Sequence, residues 1–160
     1  MRRNRLQKFF GVGPLGAAIS LLLFALFSGI NHMMGHPIIS THTGILKSFG
    51  ILLFILGLGL HFWAFWTLRH WWADDRLCTM GPFRYFRHPM YAAWVTCISS
   101  GVALYLNSWV YLLWAVLLHP IWHWLVKKEE IAMTDTFGDD YRDYARRTGR
   151  FIPRVFNRDY

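Results

Sequence analysis

The chain has 160 residues, one domain's worth, of which 54% are hydrophobic and 16% charged, with 9 Trp and 13 Phe. That balance excludes an ordinary soluble domain. The net charge of +8 does not indicate nucleic acid, because the basic residues flank apolar blocks and no soluble module remains to read a groove. They are placed as orientation signals and contacts for anionic lipid head groups.

No Asp, Glu, Lys or Arg occurs from Phe9 to Leu46, from Ser48 to Leu68, or from His88 to Val126. A helix needs about 20 such residues to cross a hydrocarbon core of about 30 Å. The chain therefore reads as an all-α, polytopic membrane protein forming a single domain over residues 1–160, with about four transmembrane helices.

Arg2, Arg3, Arg5 and Lys8, followed by Leu21-Leu22-Leu23-Phe24, begin like a signal peptide. No small-residue cleavage site follows, and Gly29-Ile30-Asn31-His32 reads as a helix end, so the segment is expected to be retained. The first span is predicted at 10–30. A loop with His32, His36 and His42 follows, its histidines expected to be exposed. The second span is predicted at 45–68, where Lys47 can snorkel to the interface. Gly57-Leu58-Gly59 lies mid-span with no strand before it, which suits helix packing and not a dinucleotide loop.

Residues 90–126 hold two short spans, 90–106 and 108–126, broken at Leu106-Asn107-Ser108 into a helical hairpin. Pro120 is expected to kink the last one. Cys78 and Cys97 fall in different settings and imply no disulfide. Four spans put both termini on one side, together with sixteen of the 17 Lys and Arg residues and all but Lys47. By the positive-inside rule that side is the cytoplasm. The tail, 127–160, is expected to carry an amphipathic cytoplasmic helix from Asp139-Asp140 to Arg146-Arg147, its charges complementing the helix dipole and Gly149 ending it. Phe137, Tyr141 and Tyr144 would form one aromatic stripe, lying on the membrane or closing over a site.

Chemistry concentrates at Gly81-Pro82-Phe83-Arg84-Tyr85-Phe86-Arg87-His88-Pro89-Met90-Tyr91. Arg84 and Tyr85, near Trp71 and Trp72, suit an interfacial anchor. His88-Pro89 asks for more: proline in the first turn sets the helix direction, and free backbone N–H groups then lie beside an imidazole. Glu129 and Glu130 return to the same face. Read as the C-terminal end of the last span, they would oppose the helix dipole. A carboxylate there can bind the ammonium of an amino-acid-like cofactor or lie near a sulfonium. His119 and His123 share a helix face at i,i+4, but no third ligand stands with them, so a lining role is expected and not a metal.

Gly81–Tyr91, Glu129-Glu130, Phe137-Gly-Asp-Asp-Tyr141 and Phe151-Ile-Pro153, in this order and spacing, resemble the isoprenylcysteine carboxyl methyltransferase family. The wider group includes phospholipid N-methyltransferases and bacterial membrane methyltransferases. The resemblance covers residues 75–153. It implies S-adenosylmethionine as methyl donor, held between the last two spans and the tail. By position, His88, Pro89, Met90 and Tyr91 would line the cofactor, with Leu77 and Cys78 as the apolar pair, Phe83 where the family often has Tyr, and Glu129 as the cofactor-binding acid. The aromatic tail helix would be a lid.

One departure bears on the acceptor. Prenylcysteine enzymes carry an Arg about one turn before the acidic pair, associated with the substrate carboxylate. Leu125 stands there, and the nearest polar candidates, His123 and Lys127, do not replace a guanidinium. The expected partners are membrane lipid and an apolar small-molecule, lipid or prenylated acceptor, with no nucleic acid. The expected location is the inner membrane of a bacterium. Two other readings are an NADPH-dependent sterol-type membrane reductase and a non-enzymatic membrane accessory protein.

Overall fold

A computed structural model describes residues 11–71 and 76–154. Arg2, Arg3, Arg5, Lys8 and Trp72 lie outside the described residues. The chain forms α1 (Gly13–Met33), α2 (Thr43–Trp71), a 3-10 turn (Gly81–Arg84), α3 (residues 89–105), α4 (Trp109–Leu125), α5 (Lys127–Phe137) and α6 (Asp139–Arg147). Helix α3 is composite, with a π-helical stretch at Ala93–Ile98 between Pro89–Ala92 and Ser99–Tyr105. No strand occurs among the described residues. Two isolated bridges are present, Ile38 with Ser108 and Phe86 with Gly149.

The all-helical membrane architecture is as expected. Among the described residues, three helical stretches are long and apolar enough to cross a membrane: Gly13–Met33, Thr43–Trp71 and Trp109–Phe137. Helix α3, at residues 89–105, is shorter. It nonetheless runs antiparallel to α2, because Gly50 meets Gly101 and Tyr105 while Gly57 meets Ala93, Cys97 and Ile98. The break before α4 falls where the sequence places it. Asn107 takes a left-handed φ of 51°, and the Ser108 side chain caps α4 by accepting from the Val110 N–H at 3.3 Å.

Packing proceeds from α1 to α4, from α4 to α3 and from α3 to α2. Helix α4 is central: seven of its 17 residues are buried, against three of the 29 in α2. The Trp114 indole donates to the Ser20 carbonyl (3.1 Å) and the Trp122 indole to Ser20 Oγ (3.0 Å), so α1 and α4 are joined by hydrogen bonds that lipid cannot supply. Much of α2 instead shows Ile51, Leu52, Ile55 and Phe62 outward, as a lipid-facing helix does.

At the end of the bundle away from the tail, the loops are tied. Asn107 exchanges hydrogen bonds with the Ser40 backbone (3.1 and 2.8 Å), and Ser108 donates to Asn31 at 2.6 Å. His32, His36 and His42 are exposed there, as expected. Cys78 and Cys97 are both free thiols.

Two tail expectations are corrected. The helix does not end at Glu129-Glu130. It continues past Val126 to Phe137, so neither acid stands at a helix C-terminus and the expected opposition to the dipole does not arise. Lys, Glu, Ala and Met are good helix formers, so the charged run continues the helix. The aromatic stripe is also split. Gly138 turns the chain with a φ of 57°, leaving Phe137 on α5 and Tyr141 and Tyr144 on α6. Helix α6 has the predicted bounds, but Tyr141 is buried, so this face does not lie on a membrane.

The crossing of α2 and α3 depends on two glycines. A Cβ at Gly101 would sit 2.7 Å from the Gly50 carbonyl and 2.9 Å from the Phe54 nitrogen. Gly101→Leu is expected to overpack this contact by roughly 1–3 kcal/mol or more and to lower the thermal midpoint in detergent. Gly59→Ala, where a Cβ meets nothing within 4 Å, is expected to raise it, because Ala favours a helix by about 1 kcal/mol over Gly.

Candidate functional site

The 81–91 segment is held in place by the tail. Residues 85–88 run parallel to 148–150: the Arg87 N–H donates to the Gly149 carbonyl (2.7 Å), the Gly149 N–H to the Tyr85 carbonyl (3.2 Å) and the His88 N–H to the Arg150 carbonyl (3.3 Å). The Tyr144 hydroxyl donates to the carbonyls of Phe83 (2.8 Å) and Phe86 (3.1 Å). With Pro89 opening α3, the direction of His88 is fixed from both sides.

At the centre of this end of the bundle is Glu130. Its carboxylate receives Arg87 Nε at 2.9 Å and Arg150 through both Nε (2.9 and 3.0 Å) and Nη2 (2.5 Å). Arg87 also donates from Nη1 to the carbonyls of Ala145 (2.5 Å) and Thr148 (2.9 Å), so one guanidinium links α5, the end of α6 and the 81–91 segment. Bonding to Glu130 raises the Arg150 pKa beyond its ordinary value. The side chains of Arg87, Glu130 and Arg150 are 12%, 14% and 24% exposed, so solvent screens them weakly.

Glu129, one residue earlier, faces the bundle. Its Oε1 accepts from the Val12 N–H (2.5 Å) and from the Tyr91 hydroxyl (3.0 Å). His88 lies between the two acids, with Nδ1 3.5 Å from Glu129 Oε2 and Nε2 3.5 Å from Glu130 Oε1. The imidazole stacks on Tyr91 (centroids 5.6 Å, 11° between planes), and Tyr91 rests on Trp122 at 4.9 Å.

Of the residues singled out in the sequence, His88, Tyr91 and Glu129 therefore meet directly, with Pro89 buried beneath them. Cys78, Phe83 and Met90 gather separately, in an apolar cluster with Ala64, Leu68 and Trp71 of α2. Leu77 is half-buried beside Cys78. Burial pushes the Cys78 thiol pKa up, which disfavours a thiolate nucleophile and suits an apolar wall. His123 reaches the margin of the site, 3.4 Å from Arg150 Nη1 and with its ring tilted against Phe151 at 4.7 Å between centroids. Lys127 is exposed and lines an open groove of about 380 Å³ with Glu130 and Arg150. Leu125 is buried and offers no polar group.

Arg150 and Val12 were not singled out by the sequence, and Arg87 and Phe151 entered only as members of motifs, with no role of their own. The signal available for Arg150 was its position next to the Phe151-Ile-Pro153 motif, but its pairing with Glu130 crosses two helices and the intervening turn. What results is an acid facing the bundle and an imidazole between two carboxylates, with the apolar cluster packed separately against α2.

Residues 45–140 match the phospholipid methyltransferase family. The chain belongs to that family. No curated protein matches the chain significantly. The family match runs from the start of α2 to the start of α6, and so takes in the 81–91 segment and both glutamates.

Glu130→Ala would leave Arg87 and Arg150 facing each other's charge without a counter-ion, a loss of about 3–5 kcal/mol for a buried pair. Limited trypsinolysis in detergent is expected to cut the 142–154 segment markedly faster than in the wild type. Unchanged cleavage would show that the tail is held by something else.

Proposed function

We propose that the chain is an integral membrane methyltransferase that takes its methyl group from S-adenosylmethionine and passes it to an apolar or lipid-like acceptor. The observation that carries this reading is the meeting of His88, Tyr91 and Glu129 at the mouth of the bundle, inside a chain of the phospholipid methyltransferase family.

The residues present suit the donor chemically. Among the described residues, the polar contact of Glu129 Oε2 is His88 Nδ1 at 3.5 Å, longer than a normal hydrogen bond. A carboxylate accepts about four hydrogen bonds, so Glu129 keeps acceptor capacity for an ammonium. Arg150 lies within the same end of the bundle for a carboxylate, whereas Cys78 and Phe83 are buried against α2 with Met90 packed beside them. When bound, the donor supplies an electrophilic methyl on a sulfonium.

The protein's own contribution is alignment and exclusion of water. Tyr91 and Val12 fix the Glu129 carboxylate from one side. The Arg87–Glu130–Arg150 cluster holds the 85–88 segment, and with it His88, at a set height. Trp122 closes the floor under Tyr91. Positioning of this kind is worth several kcal/mol in a two-reactant displacement. A carboxylate or thiolate acceptor needs no base, whereas an amine must give up a proton. His88, between two carboxylates, is the group within the site suited to receive it.

The charge pattern favours this end lying on the cytoplasmic side. Arg69, Arg76, Arg84, Arg87, Lys127 and Lys128 all flank it, and Lys47 lies toward the other end. Four crossings, with α3 as a short span paired to α2, fit that pattern.

Calorimetric titration of the purified chain in detergent is expected to show saturable binding of S-adenosylmethionine. Glu129→Ala and His88→Ala are each expected to weaken it about ten- to a hundredfold, the loss of a charge-assisted contact. Wild-type affinity in both variants would overturn the site assignment.

A further inference from the structure

One wall of the site lies outside the stretch 45–140 that matches the family. It is the first turn of α1, and this turn has no cap of its own. Val12, at the N-cap, makes no side-chain hydrogen bond, and no acidic residue stands in the first turn. The Val12 carbonyl accepts the first intrahelical bond, from the Gly16 N–H at 2.8 Å. Its own N–H is one of the donors that a helix start leaves over. The acceptor comes from α5: Glu129 Oε1 lies 2.5 Å from the Val12 nitrogen. A carboxylate suits a helix N-terminus both as hydrogen-bond acceptor and as negative charge.

Glycine permits this approach. Gly11 has a left-handed φ of 47°, and a Cβ there would collide with Glu129 Oε1 and lie 3.0 Å from the Tyr91 hydroxyl. A Cβ on Gly13 would meet the Tyr91 ring at 3.4 Å, and one on Gly16 would come within 2.5 Å of the Trp122 ring. Gly29, farther along the same helix, has nothing within 4 Å. The tight glycines of α1 are therefore those against Glu129, Tyr91 and Trp122, which also touch one another.

The two oxygens of Glu129 are used differently as a result. Oε1 accepts from both Val12 and Tyr91. Oε2 is turned toward His88 Nδ1 at 3.5 Å. A carboxylate tied through one oxygen presents the other in a fixed direction, so a ligand does not have to order it.

We propose that the first turn of α1 is a positioning element for the donor's amino-acid end. Gly11 and Val12 hold Glu129 through Oε1, which aims Oε2 at the ligand's ammonium and gives the site its preference for ligands that carry an amino acid. Neither residue has to touch the ligand. This role rests on Glu129 binding the donor, as proposed above.

The test is calorimetric titration of the full chain in detergent with S-adenosylhomocysteine and with methylthioadenosine. Both carry adenosine and a thioether sulfur, and the first alone carries the amino acid. The wild type is expected to prefer S-adenosylhomocysteine about ten- to a hundredfold, the worth of a charge-assisted contact. Gly11→Ala is expected to reduce that preference about tenfold while methylthioadenosine affinity changes little. A general loosening of the fold would weaken both ligands and leave their ratio unchanged. Gly16→Ala, which displaces α1 at Trp122 without reaching Glu129, is expected to reduce the preference by a smaller factor. Gly35→Ala is the control, since Gly35 has a φ of 69° and nothing within 4 Å, so it carries similar backbone strain with no neighbour to displace. It is expected to keep the wild-type preference. Circular dichroism checks that each variant is folded. The proposal is overturned if folded Gly11→Ala keeps the wild-type preference, or if Gly35→Ala loses it equally. A wild type that binds neither ligand contradicts the donor assignment itself, and the positioning role with it.

Discussion

The end of the bundle that carries the site is organised around one partly buried carboxylate. Glu130 lies between Arg87 and Arg150, and each of those arginines is also tied to backbone or ring groups elsewhere. Charges this sheltered are costly to leave unpaired, so the three residues are strongly coupled. Because Arg87 belongs to the segment before α3, Glu130 to α5 and Arg150 to the chain after α6, the coupling joins three distant parts of the sequence. His88 is adjacent to Arg87, and Glu129 to Glu130. The structural ion cluster thereby sets the separation of the two groups that face the bundle.

The remainder of the molecule supplies a support for that arrangement. Apolar helix faces are no better against each other than against lipid, so the helices associate through close packing and hydrogen bonds. Gly50 and Gly101 let α2 and α3 approach, and Ser20 receives two indoles from α4. Trp122, one of those indoles, also lies under Tyr91. Packing inside the bundle is in this way continuous with the orientation of the phenol that touches Glu129. The far loops are clasped by Asn31, Asn107 and Ser108, which leaves the mouth as the end where charged groups and open grooves are concentrated.

Much of this was legible in the sequence, because charge-free runs and turn residues act locally. The helices at 13–33, 43–71, 89–105 and 109–125 fall largely on the charge-free runs, and α6 begins at Asp139 and ends at Arg147 as its charges suggest. The motif residues His88, Tyr91 and Glu129 also come together. What the sequence concealed is tertiary. The lysine and glutamate run at 127–130 looks like a solvated helix end, yet the helix continues, since those residue types favour it. Arg150 shows no local pattern marking it as the partner of Glu130. Cys78, Phe83 and Met90 sit in the motif region but face α2, a separation that depends on the 3-10 turn at Gly81–Arg84.

The central claim is that this ordered mouth transfers methyl groups to an apolar acceptor. It is tested most directly by incubating membranes containing the chain with methyl-labelled S-adenosylmethionine and separating lipid, protein and small-molecule fractions. The account predicts label in an organic-extractable fraction above that of membranes lacking the chain, and its loss when Glu129 is replaced by Gln. Label at background in every fraction, or equal labelling by the Gln variant, would contradict it.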